Sequence, residues 1–324
     1  MTLRPFRFAV TAPEMAGDVG RWTGALRRIE DAGFDTVGVA DHFTEGWTVE
    51  PMTALAAAAM VTTTLRLQTS VLGNDYRHPV LVHRMAATVD QLSQGRFTLG
   101  IGAGWLESDY VAAGLPLDRP GVRIARLEEA VLLLKALFGD APVDHDGTYY
   151  RTHQLVGMPR PVQRPHPPIL LGGGSPRVLR LAGREADIVS IVASLRAGAL
   201  GSHAVVDLSA ERVTEKLGWI GEGAAAAGRT LDAVTLSINH WLVRVTSSTD
   251  DAETYLAKVA ASHGVEPALL RGSPAVLVGT VDQLADTLVE RRERFGFSHL
   301  QLDAGFPPKD LEALVPLVAR LAGT

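Results

Sequence analysis

Cysteine is absent from the 324 residues, which excludes disulfides, thiolate nucleophiles and Cys-ligated metal centres and fits a reducing compartment. Positive charge is never concentrated. No run of Lys and Arg exceeds two residues, and the net charge is −5 with a pI of about 6.1. Neither a nucleic acid nor an anionic membrane is an expected partner. The longest apolar run lies near Ala54–Val61, far below the ~20 residues of a membrane span. Residues 1–20 lack a basic start followed by an apolar core, and Arg4–Arg7 runs straight into the strand-like FRFAV. No targeting segment is therefore expected, and the expected location is cytoplasmic. Lysine is scarce and ends no strand, which argues against Schiff-base chemistry. No two histidines have H-E-x-x-H-like spacing, and neither G-x-x-x-x-G-K-[ST] nor G-x-S-x-G occurs. His78, His83, His240 and His299 read as structural, His145, His153 and His166 as solvent-facing, and no metal is expected.

What is present is an alternation of short apolar runs with amphipathic stretches, the pattern of a parallel sheet with crossover helices. Strands are expected at Phe6–Val10, Phe34–Ala40, Leu65–Leu72, Phe97–Ile101, Ile169–Leu171, Asp187–Val192, Thr235–Val245 and Leu300–Asp303. Helices are expected over about Asp18–Ala32, with Gly33 as C-cap, Pro51–Thr63, Pro79–Ser93 and Val122–Phe138. Others are expected from Pro176, over Ala210–Ala227, Val281–Phe295 and Lys309–Ala322. Leu127, Val131, Leu134 and Leu137 give the fourth helix its apolar stripe. Val143–Arg151 reads as a hairpin turning at Asp146–Gly147. Eight strands and eight helices favour a closed (β/α)8 TIM barrel over an open doubly wound sheet. The expectation is one α/β domain over 1–324, with insertions around 139–168 and 250–275, the second containing a helix.

Function in such a barrel gathers where strands end, and four strand ends are unusual. Asp41-His42 closes the second strand. His42 has the side chain best suited to proton transfer near neutrality, and Asp41 is able to accept a hydrogen bond from a ligand; an N-cap Asp beside a surface His is the alternative. Thr69-Ser70-Val71-Leu72-Gly73-Asn74 closes the third, either leaving room for a planar ligand or serving as a plain transition to loop. Gly100-Ile101-Gly102-Ala103-Gly104-Trp105 closes the fourth; alternate glycines admit a flat ligand or permit tight packing. It is not the dinucleotide fingerprint, since Trp105 stands where the third glycine belongs. Gly172-Gly173-Gly174-Ser175-Pro176-Arg177 joins a strand to a helix with an N-cap serine and a first-turn proline. That is an anion site or a bare tight turn.

VADHF, LQTSVLGNDYRHPV, QLSQGRFTLGIGAGWLESDY, DRPGVRIARLEEAV and PRPVQRPHPPILLGGGSPRVLRLA, in this order, resemble the bacterial luciferase-like flavoproteins. The likeness is strongest over residues 34–191. Within the family it is closest to the actinobacterial branch that uses the deazaflavin coenzyme F420, with flavin mononucleotide (FMN) as the alternative on a shared scaffold. The resemblance implies that Asp41 contacts the ring and that His42 sits over its reactive face. It implies a cis peptide at Ser70-Val71 behind the ring, Gly102, Ala103 and Gly104 along its edge, and Gly173, Gly174 and Ser175 at the phosphate. It also implies a homodimer.

One departure bears on the substrate. Sugar-phosphate dehydrogenases of this branch carry a Glu where Trp105 stands, so glucose 6-phosphate oxidation is not expected, and Glu107 or Asp109 would have to substitute for that acid. A small apolar or aromatic substrate packed by Trp47 and Trp105 is expected instead. The implied activity is F420-dependent hydride transfer with His42 as the proton partner. An FMN-dependent monooxygenase is the alternative, and a non-catalytic flavin- or deazaflavin-binding protein is the alternative of another class.

Overall fold

The computed structural model describes residues 3–15, 17–44, 49–194, 202–302 and 311–324. Its principal strands are β1 (Arg7–Thr11), β2 (Thr36–Val39), β3 (Arg66–Thr69), β4 (Phe97–Gly102), β5 (Ile169–Gly173), β6 (Ile188–Ile191), β7 (Thr235–Asn239) and β8 (Phe297–Gln301). They hydrogen-bond in the order β3-β2-β1-β8-β7-β6-β5-β4, and a further β3–β4 pairing closes the ring. Parallel registers such as Leu67↔Phe97, Leu99↔Ile169 and Phe8↔Leu300 set the stagger. Strands buried on both faces read as continuous apolar runs, and Phe8, Leu67, Leu99, Ile169 and Val189 are all fully buried. The fold is the (β/α)8 barrel that the alternation predicts.

The helices that follow the strands are α1 (Val19–Asp31), α2 (Pro51–Val61), α3 (Pro79–Leu92), α4 (Pro120–Phe138), α5 (Pro176–Glu185), α6 (Ala210–Ala226), α7 (Val281–Phe295) and α8 (Leu311–Leu321). Gly33, after α1, has φ of +82°, and all four residues of the predicted α4 stripe are buried. None of the described helices is long and apolar enough to cross a membrane.

The local pattern misleads at three places. The stretch 235–245 is two strands. The His240 N–H still bonds Gln301 O, but the Trp241 N–H bonds Ala275 O. The chain changes partner there, and Leu242–Val245 pairs with Val276–Gly279 in a separate two-stranded sheet. The Val276–Gly279 strand was not expected, although Ala275–Val278 is a short apolar run between Pro274 and Gly279. A seven-residue helix, Glu107–Ala113, was hidden by its shortness; Gly114 ends it with φ of +67°. Residues 249–272 hold two helices, Thr249–His263 and Pro267–Gly272.

The chain divides into two compact units, one of Met1–Ala12, Arg28–Thr36 and Gly172–Thr324, the other of Pro13–Arg27 and Val37–Leu171. In the second, the hairpin Val143–Asp146/Arg151–Leu155 is held by Glu129 on α4, whose carboxylate accepts the N–H groups of Thr148, Tyr149 and Tyr150 and faces His145 Nε2 at 3.1 Å. His145 is thus a hairpin tie, whereas His153 is exposed. In the first unit, α5 and α6 cross closely. A Cβ on Gly183 would collide with Ile220 O, and one on Gly223 with Arg180 O.

Candidate functional site

In the unit that carries Val37–Leu171, β2 ends in Asp41 and His42, and each side chain has its own partner. His42 Nδ1 lies 2.5 Å from Asp109 Oδ2. Asp109 is fully buried on the helix Glu107–Ala113, and its other oxygen accepts the Phe43 N–H at 3.0 Å. The Tyr76 hydroxyl donates to Oδ2 at a longer 3.4 Å. Burial, then Tyr110 and the carboxylates Asp109 and Asp41, push Tyr76 far above its ordinary pKa, so it remains a donor. A carboxylate facing Nδ1 favours the tautomer with hydrogen on Nδ1, which leaves the ring's lone pair on Nε2. The Trp105 ring meets His42 edge-on, at 5.7 Å between centroids. Of the two acids considered as substitutes for the missing Glu, Asp109 is on the histidine and Glu107 is exposed.

Asp41 is buried and heavily engaged. Its Oδ2 accepts the Gly73 N–H at 2.9 Å and Arg77 Nη1 at 2.5 Å, while Oδ1 accepts Arg77 Nη2 at 3.0 Å. A carboxylate offers about four lone-pair directions, so one remains for a ligand. Arg77 also reaches Glu50 at 2.9 Å. Arg77 did not stand out in the sequence, and Asp109 did so only as a candidate acid, not as the partner of His42, because each acts at a distance of tens of residues from its partner. The weak signal for Asp109 was acidic residues opening a segment closed by Gly114.

The Ser70–Val71 peptide is cis. The Thr69 hydroxyl, just before it, bonds both the N–H and the carbonyl of Gly100, at 2.8 and 2.7 Å. Gln68 donates to Ser70 Oγ at 2.9 Å, and its own Oε1 is buried without a partner. The glycines of β4 are closely packed. A Cβ on Gly100 would strike Thr69 O, and one on Gly102 would approach Val71 Cγ2 to 2.9 Å. Gly104 has φ of +73°, and its Cβ would collide with the Tyr110 hydroxyl, which donates to Asp75 at 3.0 Å. Arg123 donates to the carbonyls of Gly104 and Ala103 from behind, and Arg126 bridges Asp75 and Asp118. The DRPGVRIAR stretch therefore buttresses the loop that begins at Gly102.

In the unit containing Gly172–Thr324, the fourth of the unusual strand ends follows β5. Ser175 takes the extended N-cap conformation before α5, with Pro176 in the first turn, as read from the sequence, but its hydroxyl makes no cap bond. Gly174 is packed so tightly that a Cβ would run into the backbone of Val192, Ala193 and Ser194. The fully buried Lys216, on α6, donates to Gly174 O at 2.8 Å and to Asp207 Oδ2 at 2.6 Å. Trp47 lies outside the described residues.

Known proteins are similar to this chain. The description of luciferase-like monooxygenases matches residues 2–299. An F420-dependent glucose-6-phosphate dehydrogenase of Intrasporangium calvum is 38% identical over 168 residues, which take in 49% of this chain and 50% of that protein. An FMNH2-dependent dimethylsulfone monooxygenase of Pseudomonas putida is 27% identical over 57% of this chain and 55% of its own. The chain thus spans about half the length of these curated relatives. The coenzyme F420-dependent tetrahydromethanopterin reductase of Methanopyrus kandleri superposes with a TM-score of 0.74 over 99% of both chains at 19% identity, a likeness of fold. With a family match over nearly its whole length, the chain belongs to the luciferase-like monooxygenase family.

Proposed function

We propose that the protein is an oxidoreductase transferring a hydride between coenzyme F420 and a small organic substrate. The observation that carries this reading is the histidine at the end of β2 held by a fully buried carboxylate, His42 Nδ1 to Asp109 Oδ2 at 2.5 Å. The residues suit a flavin-type ring: the buried, unpartnered Gln68 Oε1 is an acceptor for a ring N–H. Asp41, Ser70, Val71, Gly102, Ala103 and Gly104 are assigned to the ring and its side chain, and Gly173, Gly174 and Ser175 to the phosphate. When bound, the deazaflavin supplies the two-electron chemistry. Asp109 holds the imidazole, and His42 gives or takes the accompanying proton at Nε2. Trp105 and Trp47 are assigned to an apolar or aromatic substrate. Glucose 6-phosphate is not proposed, because Trp105 replaces the glutamate acid.

The identity to F420-dependent relatives supports the coenzyme, and the dimethylsulfone monooxygenase supports FMN as the second reading. Titration of the protein with F420 and with FMN, followed by fluorescence, separates them: tighter binding of F420 is expected, and binding of FMN alone overturns the assignment. Failure to exchange a hydride with any substrate, despite tight binding, would leave a coenzyme carrier. The absence of cysteine and of basic clusters supports a cytoplasmic protein with a small-molecule substrate. A homodimer is proposed on the family resemblance, and light scattering tests it.

A further inference from the structure

Lys216 is fully buried, which is costly for an ammonium unless it is paired and hydrogen-bonded. Here it is both. Its Nζ lies 2.6 Å from Asp207 Oδ2, 2.8 Å from Gly174 O and 3.3 Å from Val192 O. Asp207 is itself fully committed: Oδ2 also accepts the Ser194 N–H at 2.7 Å, and Oδ1 accepts Arg212 at 3.1 and 3.2 Å. One cation thus ties the turn after β5 to the segment after β6. Gly174 lies against the backbone of 192–194 so closely that only glycine fits.

The consequence lies in the peptide plane. The Gly174–Ser175 peptide is trans, so its carbonyl and N–H point in opposite directions. With the carbonyl drawn onto the buried ammonium, the Ser175 N–H is turned away from it, at the mouth of a helix whose N-cap hydroxyl makes no cap bond. The Val192 carbonyl also faces Lys216, so the Ala193 N–H is turned away from it.

We propose that Lys216, with Asp207, is a positioning residue for the coenzyme phosphate. It touches no ligand; it holds the Gly174–Ser175 peptide in the orientation that presents an N–H to an anion. The inference rests on the assignment of the phosphate to Gly173–Ser175 made above.

The test uses two probes, F420 and the same deazaflavin with its ribityl chain unphosphorylated, titrated by fluorescence against the wild type and Lys216→Met. The wild type is expected to bind the phosphate-bearing form at least ~10-fold more tightly, a difference of about 1.4 kcal/mol. In Lys216→Met that preference is expected to collapse to near unity while affinity for the unphosphorylated form is unchanged. A loss of both affinities in parallel, or an unaltered preference, overturns the positioning role, since a merely structural lysine would act on both. Equal affinities in the wild type overturn the phosphate assignment itself, and the inference with it. If Lys216→Met does not fold, Asp207→Asn keeps the shape and an acceptor for Lys216 while removing the charge. Its preference is expected to fall several-fold, and an unchanged ratio overturns the proposal.

Discussion

At the scale of single residues, the site turns on two carboxylates with different tasks. Asp41 is spent largely on Arg77 and the Gly73 N–H, while Asp109 is buried against His42. His42→Ala is expected to lower turnover by roughly 10²–10⁴-fold, the usual weight of a positioned acid–base group, and to leave coenzyme affinity intact. Unchanged turnover in steady-state assays would remove the role. Asp109→Asn tests the orientation: the amide presents N–H where the carboxylate accepted, which drives the imidazole to the other tautomer. Turnover should fall by about 10-fold or more, with the fluorescence-measured affinity retained. A normal rate would show that Asp109 only fills space.

At the scale of elements, glycine sets how closely segments approach. Gly104→Ala places a Cβ against the Tyr110 hydroxyl in a left-handed conformation. It is expected to cost roughly 2–4 kcal/mol in urea unfolding and to weaken coenzyme binding, because the loop from Gly102 shifts. Gly223→Ala, where α6 meets the Arg180 carbonyl of α5, is expected to cost roughly 1–3 kcal/mol with coenzyme affinity retained. Most of these elements were readable locally. The α4 stripe, the Gly33 cap and the extent of α7 follow from periodicity and caps. The Glu107–Ala113 helix and the split of 235–245 did not, because a seven-residue helix has too few turns for a period and a change of strand partner leaves no local mark.

At the scale of the whole molecule, acid sensitivity follows from buried neutral histidines. Burial, then Arg291, holds His240 down at about 3 from 6.5, and burial, then Arg160 and Arg84, holds His83 at about 4. With folded values below the unfolded one, the unfolded chain binds more protons as pH falls through 6.5. The stability contribution is full above pH 6.5 and is lost progressively down to about pH 3–4. Between pH 6.5 and 5 the melting temperature should fall by roughly 5 °C. The window lies above the range where carboxylates held low, such as Glu129 and Asp207, give up their share. A flat profile there by calorimetry would contradict buried, neutral imidazoles.

The amino-acid sequence alone determined the number and order of the barrel's strands and helices, the cap residues, and which four strand ends are unusual. Each is written in the spacing of neighbouring side chains. Tertiary structure decided the partnerships: Asp109 with His42 across 67 residues, Arg77 with Asp41 across 36, and Lys216 with Gly174 across 42. Periodicity tells which face of an element is buried, not which distant group meets it. The same holds for the glycines after β4 begins. Their spacing allowed either a ligand or close packing; Thr69, Val71 and Tyr110 lie where Cβ atoms on Gly100, Gly102 and Gly104 would stand, while the ligand reading is the one proposed for the backbone of Gly102 and Gly104.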